Sequence, residues 1–268
     1  MIVGLVMIAG GAAAGVFGSL LGLGGGVLIV PLLTLGFGLD LRSAVGVSLV
    51  SVIMTSSAAA GVYLERHVAN LSLGMRLELF TAIGALVGGS IAFLVDERLL
   101  SVLFAGLLLY VAISMLRAAE PEPDGAQASG TAPVAAPAGG EAGPGYEIRN
   151  MRLGVVGATG AGVVSAMLGV GGGIVKVPLM HLGMGVPLRV STATSNLMVG
   201  ITAAASAVIY LIHGEVDPYV AGPTAVGVFL GASLGSRIAP RIDLRILRLL
   251  FVVVLLVTAV QMVVRVLA

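Results

Sequence analysis

The sequence predicts an all-α, polytopic membrane protein built as two inverted repeats, each of about four to five helical segments with a glycine-tract helix break near mid-membrane. Composition, the length of the apolar runs and an internal duplication predict it. Of 268 residues, 58% are hydrophobic and only 10% are charged, whereas soluble domains carry about 25% charged residues. Apolar runs of about 20 residues, enough for a helix to cross a ~30 Å hydrocarbon layer, recur along nearly the whole chain. Residues 22–42 (GLGGGVLIVPLLTLGFGLDLR) align without gaps on residues 169–189 (GVGGGIVKVPLMHLGMGVPLR).

The same register pairs Tyr63 with Tyr210, Gly84 with Gly231, Gly88 with Gly235, Asp96 with Asp243 and Arg98 with Arg245, so the duplication spans each half. It divides the chain into a first membrane repeat (1–117), a linker (118–150) and a second membrane repeat (151–268). The linker is rich in Ala, Gly, Pro and acids, a composition unable to bury apolar surface and therefore expected to be disordered.

Each half parses alike. An apolar leading segment (2–21 and 153–168) runs into the glycine tract. A short apolar piece follows, ending near Gly38 or Gly185, and then three spans: 43–64, 73–95 and 99–117 in the first half, and 190–211, 219–236 and 246–267 in the second. The first segment lacks the charged n-region of a secretory signal and reads as mature structure. The short pieces Val27–Gly38 and Ile174–Gly185 have about 12 residues, or ~18 Å of helix, about half the hydrocarbon thickness. The glycine tracts are thereby expected near mid-membrane, where broken backbone is tolerated only under protein or beside a water-filled cavity.

Arginine placement selects the topology. If each leading segment and short piece enter and return on one side, ten arginines share a face and only Arg42, Arg98 and Arg265 oppose them. If they cross once, the bias vanishes. The positive-inside tendency selects the first option: an inner-membrane, multi-pass chain with inverted halves, both termini outside and the linker cytoplasmic. That is an architecture of secondary transporters whose sites lie near the midplane.

The chain has no cysteine, which excludes disulfides, thiolate catalysis and Cys-bound metal. A net charge of +1 without a basic cluster argues against nucleic acid. No Gly-Lys-Ser/Thr or dinucleotide fingerprint is present, so no cofactor and no metal are expected. The stretch Gly231-Ala-Ser-Leu-Gly235 fits the nucleophile-elbow pattern but falls in mid-span. Its repeat partner Gly84–Gly88 has no serine, and close helix packing explains both. No enzyme is expected.

The two G-x-G-G-G-x4-P blocks are Gly22, Gly24, Gly25, Gly26 and Pro31, and Gly169, Gly171, Gly172, Gly173 and Pro178. Each opens half of a helical chain of this size, and together they resemble the TauE/SafE sulfite exporter family over essentially the whole length. The resemblance implies export of sulfite or a related small, sulfur-containing oxyanion.

The residues themselves point to an anion. A glycine tract leading into a helix leaves N–H groups unpaired and lets a ligand approach the chain closely. Lys176 is the single lysine, its repeat partner is Ile29, and a basic residue at a helix centre costs about 2.5–3.5 kcal/mol. A bound anion would offset that cost. Thr194, Ser195 and Asn196, one turn into the following span, supply donors for oxyanion oxygens or for interhelical bonds; Ser191 or Thr192 is expected to N-cap that span. His181 is expected to be a hydrogen-bonded interior or interface residue. No carboxylate is placed inside a span, Glu78, Asp96 and Asp243 lying at segment edges, so export driven by membrane potential alone is the simplest mechanism. The alternatives are a permease for another organic anion, such as a sulfonate or carboxylate, and a non-transporting accessory subunit. The bilayer and a small anion are the expected partners, and the Gly- and Ala-rich faces permit a homodimer.

Overall fold

The computed structural model describes residues 2–21, 24–65, 69–117, 146, 148–238 and 244–267. All of its described secondary structure is helical. The first half contains α1 (Ile2–Leu21), α2 (Gly26–Pro31), a π-helical turn (Leu32–Gly36), α3 (Leu41–Glu65), α4 (Leu71–Leu94) and α5 (Glu97–Arg117). The second half repeats the order with α6 (Met151–Leu168), α7 (Gly173–Pro178), a π turn (Leu179–Gly183), α8 (Leu188–Ile212), α9 (Pro218–Ile238) and α10 (Leu244–Leu267). Seven of these helices are long and apolar enough to cross a membrane. Their outward faces carry large apolar residues such as Leu94, Val156 and Ile212, the pattern of a chain whose solvent is lipid.

Both short helices are bounded the same way. Gly25 and Gly172 N-cap α2 and α7 with φ of 75° and 77°, a left-handed conformation that a side chain rarely adopts. Pro31 and Pro178 close them. Proline has no N–H to give to the carbonyl four residues back, and the backbone widens into a π turn immediately after each.

The halves are interwoven. α1 packs on α9 and α4 on α6; α3 packs on α8 and α5 on α10; α3 also meets α9 and α4 meets α8. This set of contacts maps onto itself when each helix is exchanged for its repeat partner. Glycines allow the closest approaches: a Cβ on Gly231 would lie 2.0 Å from the carbonyl oxygen of Ala12, and one on Gly84 would lie 2.1 Å from that of Thr159. The stretch Gly231–Gly235 is thus mid-helix packing surface, and Ser233 donates to the carbonyl of Phe229 at 2.7 Å.

Helix directions follow from matched contacts. Gly227, Gly231 and Gly235 of α9 sit against Ile8, Ala12 and Val16 of α1 in rising order, so these helices run parallel. Gly84 and Gly88 of α4 likewise sit against Thr159 and Val163 of α6. The partners α3 and α8 instead run antiparallel. Ser43 at the start of α3 reaches Glu215 beyond the end of α8, while Asn70, beyond the end of α3, reaches Thr194 near the start of α8. These directions are compatible with halves inverted relative to each other.

One end of the bundle therefore gathers Arg42, Val95, Glu97 and Glu215. Arg42 donates to the carbonyl of Val95 at 2.8 Å, and Glu97 accepts from the N–H of Leu41 at 2.8 Å. The other end gathers Asn70, Tyr146, Arg149 and Met184: Asn70 donates to the Tyr146 hydroxyl at 2.9 Å, and the N–H of Arg149 to the carbonyl of Met184 at 3.0 Å. The expected linker over 118–150 lies outside the described residues except for this final stretch, where Tyr146 and Ile148 pack against a cluster that includes Leu73, Leu77, Met180 and Met184.

Candidate functional site

The two glycine tracts meet at the centre of the bundle. Val52 is the twelfth of 25 residues in α3 and Val199 the twelfth of 25 in α8, so both stand at mid-helix. A Cβ on Gly24 would meet both valines, at 3.6 and 3.1 Å, and a Cβ on Gly171 would meet the same pair at 2.7 and 2.5 Å. Gly24 partners Gly171 and Val52 partners Val199 in the repeat, so this contact lies on the axis relating the halves. Gly26 and Gly169 also touch across it: a Cβ on Gly26 would fall 2.4 Å from the carbonyl oxygen of Gly169, which accepts from the Ser48 hydroxyl at 2.7 Å. Gly25, Gly26, Gly172 and Gly173 are buried with them. Gly22 lies outside the described residues.

The polar chemistry is concentrated on one side of that contact. Lys176, only 1% exposed, extends from α7 to α4, where its Nζ lies 3.0 Å from Oε2 of Glu78. Nζ also donates to the hydroxyl of Thr202, on α8, at 2.5 Å. Thr202 Oγ1 lies 2.6 Å from Oε1 of Glu78 and 3.2 Å from the carbonyl oxygen of Met198. Three helices from both halves therefore close a ring of ammonium, carboxylate and hydroxyl.

Contrary to the expectation from sequence, Glu78 lies not at the edge of a span but inside one. α4 begins at Leu71, fixed by Asn70, whose side chain caps the helix by accepting from the N–H of Leu73 at 3.0 Å. Glu78 is the eighth residue of that helix and is 4% exposed. A carboxylate inside a span removes the premise from which potential alone was expected to drive transport.

Gly172 brings a further group close. A Cβ there would stand 3.2 Å from Cβ of Ser165 and 3.4 Å from Cε of Lys176. Ser165 is 1% exposed, and its hydroxyl has no hydrogen-bond partner among the described residues. The corresponding place in the first half carries no charge: Ile29 stands for Lys176, Ala225 for Glu78, Gly18 for Ser165 and Thr55 for Thr202.

The polar stretch after Arg189 is placed differently. Thr194 lies about 12 Å along α8 from Thr202, eight residues at 1.5 Å each, and its hydroxyl accepts from the N–H of Asn70 at 2.9 Å. Ser195 is fully buried without a hydrogen-bond partner among the described residues. Asn196 is 5% exposed, and its carbonyl accepts from the Ser56 hydroxyl at 2.6 Å. Neither Ser191 nor Thr192 caps the helix, because α8 starts earlier, at Leu188 with Pro187 as N-cap; their hydroxyls bond the carbonyls of Val186 and Leu188. His181 is half-buried, and its Nδ1 lies 2.9 Å from the carbonyl oxygen of Val186, the hydrogen bond expected of it.

Reasoning from sequence missed Glu78, Thr202 and Ser165. One signal was available: in the repeat register both Lys176 and Glu78 face apolar partners. Two unmatched charges of opposite sign in the membrane point to each other, since isolated each is expensive.

A helical bundle of apolar, membrane-length helices with two short helices broken at glycine tracts and a buried polar centre defines a polytopic membrane transporter. The model of the sulfite exporter TauE/SafE family matches residues 7–262, and the chain belongs to that family. Among similar proteins, the probable membrane transporter protein YunE of Bacillus subtilis is 25% identical over 266 residues, covering 97% of each chain. A probable membrane transporter protein of Xylella fastidiosa is 29% identical, with 88% of this chain and 85% of the relative covered. The sulfite exporter TauE/SafE family protein 6 of Arabidopsis thaliana is 34% identical over 82 residues, 31% of this chain and 19% of that protein. No solved structure matches.

Proposed function

We propose that the protein exports sulfite or a related small oxyanion across the inner membrane, through a site between the two glycine tracts where Lys176 receives the anion. The observation that carries this reading is the single lysine of the chain, fully buried near mid-depth and held by groups on two other helices. A buried charge pair is weak evidence for stability, and the repeat, which has Ile29 in the equivalent place, does not by its symmetry demand a lysine there. Ionisable groups inside a membrane mark substrate and ion pathways. Ser165 offers a hydroxyl with no other use beside Gly172, and Gly171–Gly173 give the anion close access to backbone N–H groups.

The helix directions support an inverted repeat. Re-entrant α1–α2 and α6–α7 units then sit on opposite sides of the midplane, as in transporters whose broken helices build a central site. The end holding Asn70 and Tyr146 also carries the exposed Arg76, Arg149 and Arg152, whereas Arg42 and Arg98 lie at the opposite end. Positive-inside bias assigns the linker end to the cytoplasm and both termini to the outside. With the inside negative, each net charge leaving on an anion gains about 2.3 kcal/mol per 100 mV.

Flux into proteoliposomes tests the reading. Saturable, potential-sensitive sulfite movement is expected. It should be abolished by Lys176→Ala and only partly restored by Lys176→Arg, because a planar fork replaces a compact ammonium. Flux of a sulfonate or carboxylate without sulfite transfers the site to that anion, and unchanged sulfite flux in Lys176→Ala removes the lysine from it.

A further inference from the structure

We infer that Glu78 is a tethered stand-in for the substrate anion, and that the protein therefore carries about one proton with each anion it moves. The inference rests on the transport reading above and adds its coupling ion.

Three observations carry it. First, Lys176 already holds a carboxylate, Glu78, at 3.0 Å. Two of the three N–H groups of Lys176 serve Glu78 and Thr202, so an oxyanion arriving at Nζ competes with that carboxylate for the single positive charge rather than for an empty site. Second, among the described residues Glu78 has no other cation within reach. Among the described residues on the elements packed around it, Arg76 of α4 and Arg152 of α6 are exposed, His181 of the π turn is bonded to the carbonyl of Val186, and Tyr210 of α8 donates to the carbonyl of Ala166. An ionised Glu78 displaced from Lys176 would be a buried charge without a partner, which costs several kcal/mol. Taking up a proton removes that cost.

Third, Thr202 can serve both states. With Glu78 ionised, the Thr202 hydroxyl donates to Oε1 at 2.6 Å and accepts from Lys176. With Glu78 protonated, the hydroxyl turns to the carbonyl of Met198, 3.2 Å away, and its oxygen accepts the new proton from Oε1. Neither state strands a buried donor.

The cycle balances. On one face the anion displaces Oε2 from Lys176 Nζ and Glu78 binds a proton from water. On the other face the anion leaves, Glu78 returns that proton to water, and its carboxylate pairs with Lys176 again. No bond is broken other than the O–H of the carboxylic acid. A monovalent anion is then moved without net charge, whereas a dianion carries one negative charge outward and still responds to the membrane potential. The repeat equivalent of the pair, Ile29 with Ala225, has neither group, so the proton site is not duplicated with the repeat.

The test uses the full chain in liposomes clamped at zero potential with potassium and valinomycin. Labelled anion and internal pH are followed together, with sulfite and methanesulfonate as probes. Methanesulfonate, a strong-acid anion, cannot ferry a proton itself. Wild type is expected to acidify the lumen by about one proton per methanesulfonate entering. For sulfite, its ratio of protons to anions should exceed that of Glu78→Gln by about one, and Glu78→Asp should restore the difference. Anion flux without proton movement, or with the same ratio in Glu78→Gln, overturns the coupling and leaves the transport reading standing. If Glu78→Gln does not fold, the wild-type methanesulfonate and sulfite ratios against protein-free liposomes decide the matter. No flux of either anion in wild type overturns the transport reading and this inference with it.

Discussion

Replacing Lys176 and Glu78 by the residues their repeat partners carry gives a quantitative test of the buried pair. The variants are Lys176→Ile, Glu78→Ala and the two combined, the partners being Ile29 and Ala225. The charges are 3.0 Å apart, with side-chain exposures of 1% and 5%. At an effective dielectric constant near 20, their attraction is about 5 kcal/mol. Several kcal/mol of desolvation per ion oppose it, so the pair adds little net stability over an apolar replacement. Either single substitution leaves one buried charge unpaired, or forces it to change protonation, and should cost about 3–5 kcal/mol. The double substitution removes both charges and should cost only about 1 kcal/mol, for the void left by the shortened glutamate. The coupling energy is therefore roughly 5 kcal/mol or more. The chain has neither cysteine nor tryptophan, so thiol dyes and tryptophan emission report nothing. Size-exclusion of a fluorescent-protein fusion after stepwise heating reads Tm instead. At about 2–4 °C per kcal/mol, each single variant should fall by roughly 6–20 °C and the double should stay near wild type. Additive losses, with the double lowest of all, would refute the reasoning; so would single variants that melt with wild type.

Three other outcomes are expected. The pair Ser56→Cys with Gly200→Cys should form a disulfide: a Cβ at Gly200 would lie 2.8 Å from that of Ser56, so α3 and α8 need part by only about 1 Å to reach the ~3.8 Å Cβ separation of a disulfide. Cleavage at a protease site engineered between residues 118 and 145 should then leave the halves linked on a non-reducing gel, and halves that separate would show that α3 and α8 do not meet at this pair. Gly231→Leu should lower Tm by several degrees, because even its Cβ would stand 2.0 Å from the Ala12 carbonyl oxygen, and overpacking costs about 1–3 kcal/mol; an unchanged Tm would show that α1 and α9 do not pack so closely. Gly130→Cys, the sole thiol in an otherwise cysteine-free chain, should react with an impermeant maleimide only in permeabilised cells, and labelling of intact cells would reverse the proposed orientation.

The fold class was legible in the sequence because lipid imposes it: helix lengths follow hydrocarbon thickness, and gene duplication leaves a readable register. The glycine tracts, the prolines and Lys176 were legible for the same reason, as departures from an apolar background. Pairing was not. Lys176 and Glu78 are far apart in sequence, and Glu78, one helical turn past Gly74, resembles a residue at a helix start unless the cap at Asn70 is known. Thr202 and Ser165 look like other small polar residues among the many in these spans, and only burial against Glu78 and Gly172 distinguishes them.

The sequence by itself determined the membrane class, the duplication and the positions where glycine must break the helices, since these depend on hydropathy, repeat register and local backbone sterics. Only tertiary structure decided which charge meets which and that the second half's lysine takes its partner from the first. The exchange of α1 with α9 and of α4 with α6 brings the two halves of the site together across the chain, and no periodicity along one segment encodes a contact made by interweaving two.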